Sequence, residues 1–456
     1  MVAVIAGIRL IGGWLPIVVD LMAVVLLIAV IGWKVVPTQR PGARRRWLLI
    51  SLLCAALGAT IGLLLCWLLS DQLDLFDVSL TPTSRSWVAG AFAAVAVAIA
   101  GLARRGPSGG WPRRLVAALA AVAALAAGTL GVNADFGQYT TIGSLSDSVV
   151  ASPFPASVLA AQLAGAPGTV PTAPHTSRAL GKTAVAAGMP SHGLVGSVTI
   201  PAIVSHFAAR GAYVYLPPAA LVPHPVALPV LIMMSGQPGS PSNLISSGAI
   251  AAIFDAFARV HGGLAPIVVV PDQLGAPARN PMCVNGSLGA SESYLTVDVP
   301  NWIRSHLTVQ TSPSAWAIGG FSQGGTCSIQ LGAAHPELFS AIVDISGQLA
   351  PKNGDMSQTI ALGFGGDAAA YRAALPEMVL ARNAPYHRMV AVFGVGQLDS
   401  RYGPIAARMT AVARSAGISA TEAVSPGTGH DWHTVQWVLG HAMTPIYRQL
   451  GLENGS

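Results

Sequence analysis

The chain has 456 residues, 52% of them hydrophobic and only 10% charged, with a formal net charge of +6. Soluble domains carry roughly 25% charged residues, so a wholly soluble protein is excluded, and the length calls for at least two parts. The charge divides unevenly, with 11 Lys/Arg against 4 Asp/Glu before residue 134 and 14 against 15 from there on. The basic excess belongs to the apolar N-terminal part, so no nucleic-acid partner is implied.

Four apolar runs, about 15–36, 47–69, 87–103 and 115–132, each approach the ~20 residues that a helix needs to cross the hydrocarbon core. None reads as a cleaved signal peptide, because their apolar cores are too long. Lys34, Arg40, Arg44, Arg45 and Arg46 crowd the first connecting loop, and Arg104, Arg105, Arg113 and Arg114 the third; the second carries Asp71, Asp74 and Asp77 against Arg85. Short Lys/Arg-rich loops stay cytoplasmic, so the N-terminus and everything beyond the fourth span are expected on the extracytoplasmic side of the cell membrane.

Residues 134–192, rich in Ala, Gly, Pro, Ser and Thr, read as a spacer with at most a short helix at Ser157–Leu163. From Gly193 to Ser456 the texture is that of a folded domain. "LVGSVTIPA" and "GAYVYLPPA" suggest two antiparallel opening strands, and "PVLIMMSG", "APIVVVPD", "SAWAIGGFS", "FSAIVDISG" and "RMVAVFGVG" are compact apolar runs of the buried parallel type. Helical stretches fall between or after them at Asn243–Val260, Ser291–His306, Gln323–Ala334, Ile405–Ala416 and Asp431–Gln449. The fold class is therefore α/β with a mostly parallel sheet, preceded by a four-helix transmembrane region.

The chemistry centres on "GGFSQGG". Gly320-Phe321-Ser322-Gln323-Gly324 fits G-x-S-x-G between a strand and a helix, the setting of a nucleophile elbow, in which the serine hydroxyl is exposed on a sharp turn. Such an elbow takes its acid and then its base from further along the chain. Asp399 in "GQLDSRYG" follows a strand, and His430 in "GTGHDW" stands on a glycine turn before a helix. Asp344 and Glu422 compete for the acid, but Glu422 falls inside a strand; His433 competes for the base but should already be helical. The backbone N–H of Gln323 and that of Gln237, in the "SGQPGSP" loop, are the candidate oxyanion donors. His430 and His433 lack a third ligand, and no phosphate or dinucleotide loop is present, so neither metal nor cofactor is expected. Cys54 and Cys66 lie within the second span. Cys283 and Cys327, both beyond the spans, allow a disulfide in an oxidising compartment, the alternative being two separately buried thiols.

Across Gly193–Leu450, "VYLPPA", "VVVPD", "CVNGSLGASESYLTVDVPNWI", "GGFSQGGTC", "HPELFSAIVDISGQ" and "GTGHDW" resemble the "putative esterase" branch of the α/β-hydrolases, which includes secreted actinobacterial mycolyltransferases and esterase-D-like enzymes. The resemblance implies Ser322 as nucleophile, His430 as base and Asp399 as acid. The mycolyltransferases use Glu as the acid, and Asp at the matching loop tilts the reading toward the esterases. Only three Lys against 22 Arg, with abundant Ala, suit a high-GC actinobacterial genome. The expectation is a membrane-anchored serine esterase acting on an acylated envelope lipid or glycolipid, with membrane lipids as its surroundings. Acyl transfer to a sugar or lipid hydroxyl is the alternative, and a non-catalytic envelope-binding module is a further one.

Overall fold

The computed structural model describes residues 5–32, 42–104, 110–145, 151–164 and 188–453, in two compact units, Met1–Ser146 and Asp147–Ser456. Lys34, Arg40, Arg105, the end of the first apolar run and residues 146–150 and 165–187 of the expected spacer lie outside the described residues.

The first unit contains α1 (Trp14–Gly32), α2 (Ala43–Cys66, continued by a π turn, Trp67–Gln72), α3 (Pro82–Ala103) and α4 (Trp111–Phe136), each long and apolar enough to cross a bilayer. Small residues bring the helices together. A Cβ at Gly58 of α2 would stand 2.4 Å from the Phe92 carbonyl oxygen, and one at Gly131 of α4 would strike the Trp87 ring. The third helix starts five residues earlier than its apolar run. Thr81 caps it, accepting the Ser84 N–H, and Pro82 fills a first-turn position where no N–H is needed. The Thr81 and Ser84 hydroxyls also donate to Asp135 on α4, and Arg85 pairs with Asp71 at 2.7 Å.

The second unit opens with α5 (Ala156–Ala164), β1 (Leu194–Val198), β2 (Ala212–Leu216), β3 (Val230–Met234), α6 (Pro241–Ser246), α7 (Ile250–Val260) and β4 (Ile267–Val270). It continues with α8 (Val299–His306), β5 (Trp316–Phe321), α9 (Gln323–Ala334), β6 (Ala341–Ile345), α10 (Met356–Phe364), α11 (Ala368–Ala373) and α12 (Pro376–Asn383). It closes with β7 (Val390–Gly396), α13 (Gly403–Ser415), β8 (Ser419–Ser425), α14 (Trp432–His441) and α15 (Thr444–Gln449). The eight strands lie in the order β1-β2-β4-β3-β5-β6-β7-β8. β2 is antiparallel to both its neighbours, and from β4 through β8 the pairing is parallel. Every residue of β2 through β6 is buried, as sheets covered by helices on both faces require, whereas the edge strand β8 has exposed positions. The chemistry therefore falls at one edge of the sheet, where β3 through β8 end.

Three sequence expectations change. The helix expected over Asn243–Val260 is two, divided at Gly248 and a left-handed Ala249 (φ 51°). The one expected over Asp431–Gln449 breaks at Ala442–Met443, ahead of Pro445. Residues 151–164, read as spacer, instead pack on the rest of the second unit. Pro153 bridges Ser197, Phe154 is buried against Gly196, and the Gln162 amide meets the Ala220 carbonyl and the Thr308 N–H. Their composition resembles a linker, but one aromatic and one amide have found buried partners.

Candidate active site

Ser322 links β5 to α9 with φ 56° and ψ −115°, a conformation that strains a residue bearing a Cβ. Two glycines make room for the turn. A Cβ at Gly320 would stand 2.2 Å from the Gly324 carbonyl oxygen, and one at Gly324 would stand 2.4 Å from that of Met234. The strain presents the hydroxyl at the end of the strand, beside the first turn of α9, whose N–H groups have no partner within the helix.

His430 stands on the turn between β8 and α14, and the turn is fixed from both sides. Asp431 caps α14, its carboxylate accepting the Thr434 N–H at 2.8 Å and the Gly429 N–H at 2.5 Å, while the Thr434 hydroxyl donates to the Gly429 carbonyl at 2.7 Å. Asp399 lies three residues past β7, where the Leu398 N–H donates to the Thr428 carbonyl at 2.8 Å and so ties the acid loop to the histidine turn.

The three side chains form one relay. His430 Nε2 is 2.9 Å from Ser322 Oγ, and His430 Nδ1 is 3.0 Å from Asp399 Oδ2. His430 is 7% exposed and Asp399 2%, so water competes little for either bond. An ionised carboxylate only accepts, which puts the imidazole proton on Nδ1 and leaves the Nε2 lone pair facing the serine. The other oxygen of Asp399 accepts the Tyr402 N–H at 3.1 Å, and the rings of Tyr402 and Phe321 lie 4.3 Å and 4.9 Å from the imidazole. Sequence reasoning missed Tyr402. An N–H three residues after an aspartate is a recurrent local partner for its carboxylate, which was the available signal.

The competing residues do not reach this relay. Asp344 is buried within β6, where it accepts the Gly347 N–H, and burial pushes its carboxyl up to about 7. Glu422 is exposed on β8, and His433 belongs to the first turn of α14. Gln237 precedes Pro238 through a cis peptide in the loop after β3, next to Gly236, where an added Cβ would come within 3.3 Å of Ser322 Cβ. That loop and the start of α9 thus flank the hydroxyl from two directions. Cys283 and Cys327 are joined in a disulfide, which attaches the loop after β4 to α9. Cys54 is half-buried and Cys66 buried in α2, both as free thiols.

Chemically, the arrangement can remove a proton from Ser322 and hold the resulting imidazolium against a carboxylate. Comparisons with known proteins bear on what such a site belongs to. An uncharacterized protein of Corynebacterium glutamicum is 34% identical over 254 residues, which are 55% of this chain and 59% of that protein. The chain thus spans about three-fifths of the length of this relative. Among solved structures, a ferulic acid esterase is similar at 15% identity over 57% of this chain and 98% of its own, with a TM-score of 0.48. The S-formylglutathione hydrolase from Agrobacterium tumefaciens is similar at 19% identity over 57% and 97%, with a TM-score of 0.47. A family model described as "Putative esterase" matches residues 208–438, a stretch that takes in Ser322, Asp399 and His430 and amounts to just over half of the chain. The chain belongs to that esterase family.

Proposed function

We propose that the protein is a membrane-anchored serine esterase, its catalytic unit on the extracytoplasmic side, that cleaves an ester of a cell-envelope lipid or glycolipid. The observation that carries the reading is the 2.9 Å approach of His430 Nε2 to Ser322 Oγ with Asp399 on the opposite nitrogen. In the first step Ser322 Oγ attacks the ester carbonyl and its proton passes to His430, while the Asp399 carboxylate stabilises the imidazolium. The Gln323 and Gln237 N–H groups would receive the oxyanion. His430 returns the proton to the departing alcohol, leaving an acyl-enzyme on Ser322. Water, deprotonated by His430, then releases the acid and restores the serine. An alcohol in place of water would make the reaction an acyl transfer.

The sidedness rests on charge. Arg44–Arg46 and Arg104, Arg113 and Arg114 flank the first and third loops, while Asp71, Asp74 and Asp77 mark the second. The envelope-lipid substrate is inferred from this placement beside a bilayer. Incubation of the wild-type protein and Ser322→Ala with envelope lipid extracts tests the chemistry. Free fatty or amino acid released only by the wild type is the expected result; a new acylated acceptor would favour transfer, and identical products would refute the assignment. A Thr199→Cys variant, whose position is exposed, tests the sidedness. It should react with an impermeant maleimide in intact cells, and labelling only after permeabilisation would reverse the orientation.

A further inference from the structure

The loop after β4 carries two consecutive residues, Asp272 and Gln273, that are fully buried although both are polar. Each reaches one end of the Ser235–Gly239 loop that flanks Ser322. Gln273 Nε2 donates to the Ser235 carbonyl at 2.6 Å and to Gln323 Oε1 at 3.0 Å. Asp272 receives Arg210 through two bonds of 2.9 Å and 2.7 Å, and the same guanidinium donates to the Gly239 carbonyl at 3.0 Å. The β4 loop adds two more ties, from the Gly239 N–H to the Pro277 carbonyl and from the Gln237 side chain to the Ala278 carbonyl.

The amide orientations are fixed by chemistry at both ends of this chain of bonds. The Ser235 carbonyl can only accept, so Gln273 must turn its NH2 toward it. Gln323 then accepts with Oε1 and donates with Nε2 to Asn280 Oδ1 at 3.0 Å, an oxygen already receiving the Met282 N–H at 2.8 Å. Gln273 meets these bonds at a cost, because its own Oε1 is buried with no hydrogen-bond partner among the described residues. A buried acceptor left unsatisfied lowers stability, so packing alone does not explain this amide.

We propose that Gln273 is a positioning residue whose single NH2 group sets the separation between the two segments that flank the developing oxyanion, the loop after β3 and the start of α9. The proposal rests on the serine-hydrolase reading above and extends it. Oxyanion donors act only if they are held where the charge will appear, since a displacement of about 1 Å can lower the rate by about 100-fold. One amide that spans both segments fixes their spacing directly. Gln273 touches no reacting atom itself.

The test uses the full-length protein in detergent micelles, with p-nitrophenyl butyrate as substrate, a trifluoromethyl ketone as oxyanion-forming inhibitor, and hydrogen exchange of residues 235–239. Gln273→Leu removes both donors together with the unsatisfied oxygen but strands the Ser235 carbonyl and Gln323 Oε1, so its melting temperature should fall by several degrees, and its kinetics are read at a temperature where it is fully folded. The expected result is a fall in kcat of about 10- to 100-fold with KM within about twofold, ketone affinity weakened in proportion, and faster exchange in 235–239. Gln323→Met cuts the same bond from the other side and should give the same split, which serves if Gln273→Leu does not fold. Wild-type kcat and wild-type exchange in a folded variant would overturn the proposal, as would an activity loss confined to KM. A wild-type protein without Ser322-dependent turnover would sink the esterase reading instead, and the exchange measurement would still decide whether Gln273 holds the loop.

Discussion

Gly396, at the end of β7, and Gly429, beside the His430 imidazole, approach so closely that a Cβ on Gly396 would stand 2.3 Å from the Gly429 carbonyl oxygen. The strand that leads to Asp399 is thus in direct contact with the turn that bears His430. Gly396→Ala must push that turn away and should cost about 1–3 kcal/mol of stability, with a fall in kcat measurable at temperatures where the variant is fully folded. Gly440 on α14 has open space around its Cα, so Gly440→Ala should be neutral or stabilising by up to about 1 kcal/mol. Equal melting temperatures for the two variants would contradict the contact.

The Asp399–His430 bond predicts a kinetic signature. Asp399→Asn keeps the shape but offers an NH2 or a neutral oxygen to Nδ1, so the imidazole loses its preferred tautomer and the support for its charge. A drop in kcat of about 10³–10⁴ with KM nearly unchanged is expected from steady-state kinetics on a p-nitrophenyl ester. A drop below tenfold would move the acid's role elsewhere.

Asp344 supplies a pH-dependent stability effect. Burial raises its carboxyl from the ordinary 3.8 to about 7 in the folded protein. Between these values the folded chain holds a proton that the unfolded chain has released, so the contribution of Asp344 to stability falls as pH rises through the window. Above pH 7 the penalty reaches its full size, at most about 4 kcal/mol. Asp344→Asn should therefore raise the melting temperature more at pH 8 than at pH 5. An equal change at both pH values would mean that the buried carboxyl does not titrate in this range.

The Cys283–Cys327 disulfide closes a loop with a sequence separation of 44. Replacing both cysteines by serine should remove about 2–4 kcal/mol of stability, read as a lower thermal midpoint. Dithiothreitol should lower the wild-type midpoint and leave that of the double variant unchanged.

The relay was legible in the sequence because each of its members announces itself locally. Ser322 lies between glycines after an apolar strand, His430 follows a Gly turn, and Asp399 follows another strand, in the order that the elbow chemistry requires. The sheet was legible for a similar reason, since buried parallel strands are short apolar runs. Less legible was whatever depends on distant segments meeting. Gln273 acquires its place through Ser235 and Gln323, 38 and 50 residues away, and nothing in "VVVPDQL" shows which carbonyl its amide will find. Helix interruptions left only weak marks, a single Gly248 before the left-handed Ala249 and Pro445 beyond the other break, each of which a continuous helix can also tolerate.

The packing of Phe154 and Gln162 on the second unit bears on where this protein can be cut. A soluble version starting at residue 193 would uncover Gly196 and deprive the Thr308 N–H and the Ala220 carbonyl of the amide that serves both. One starting at 151 would retain them. The second unit thus begins its own fold ahead of its first strand, in residues whose composition looks like mere tether.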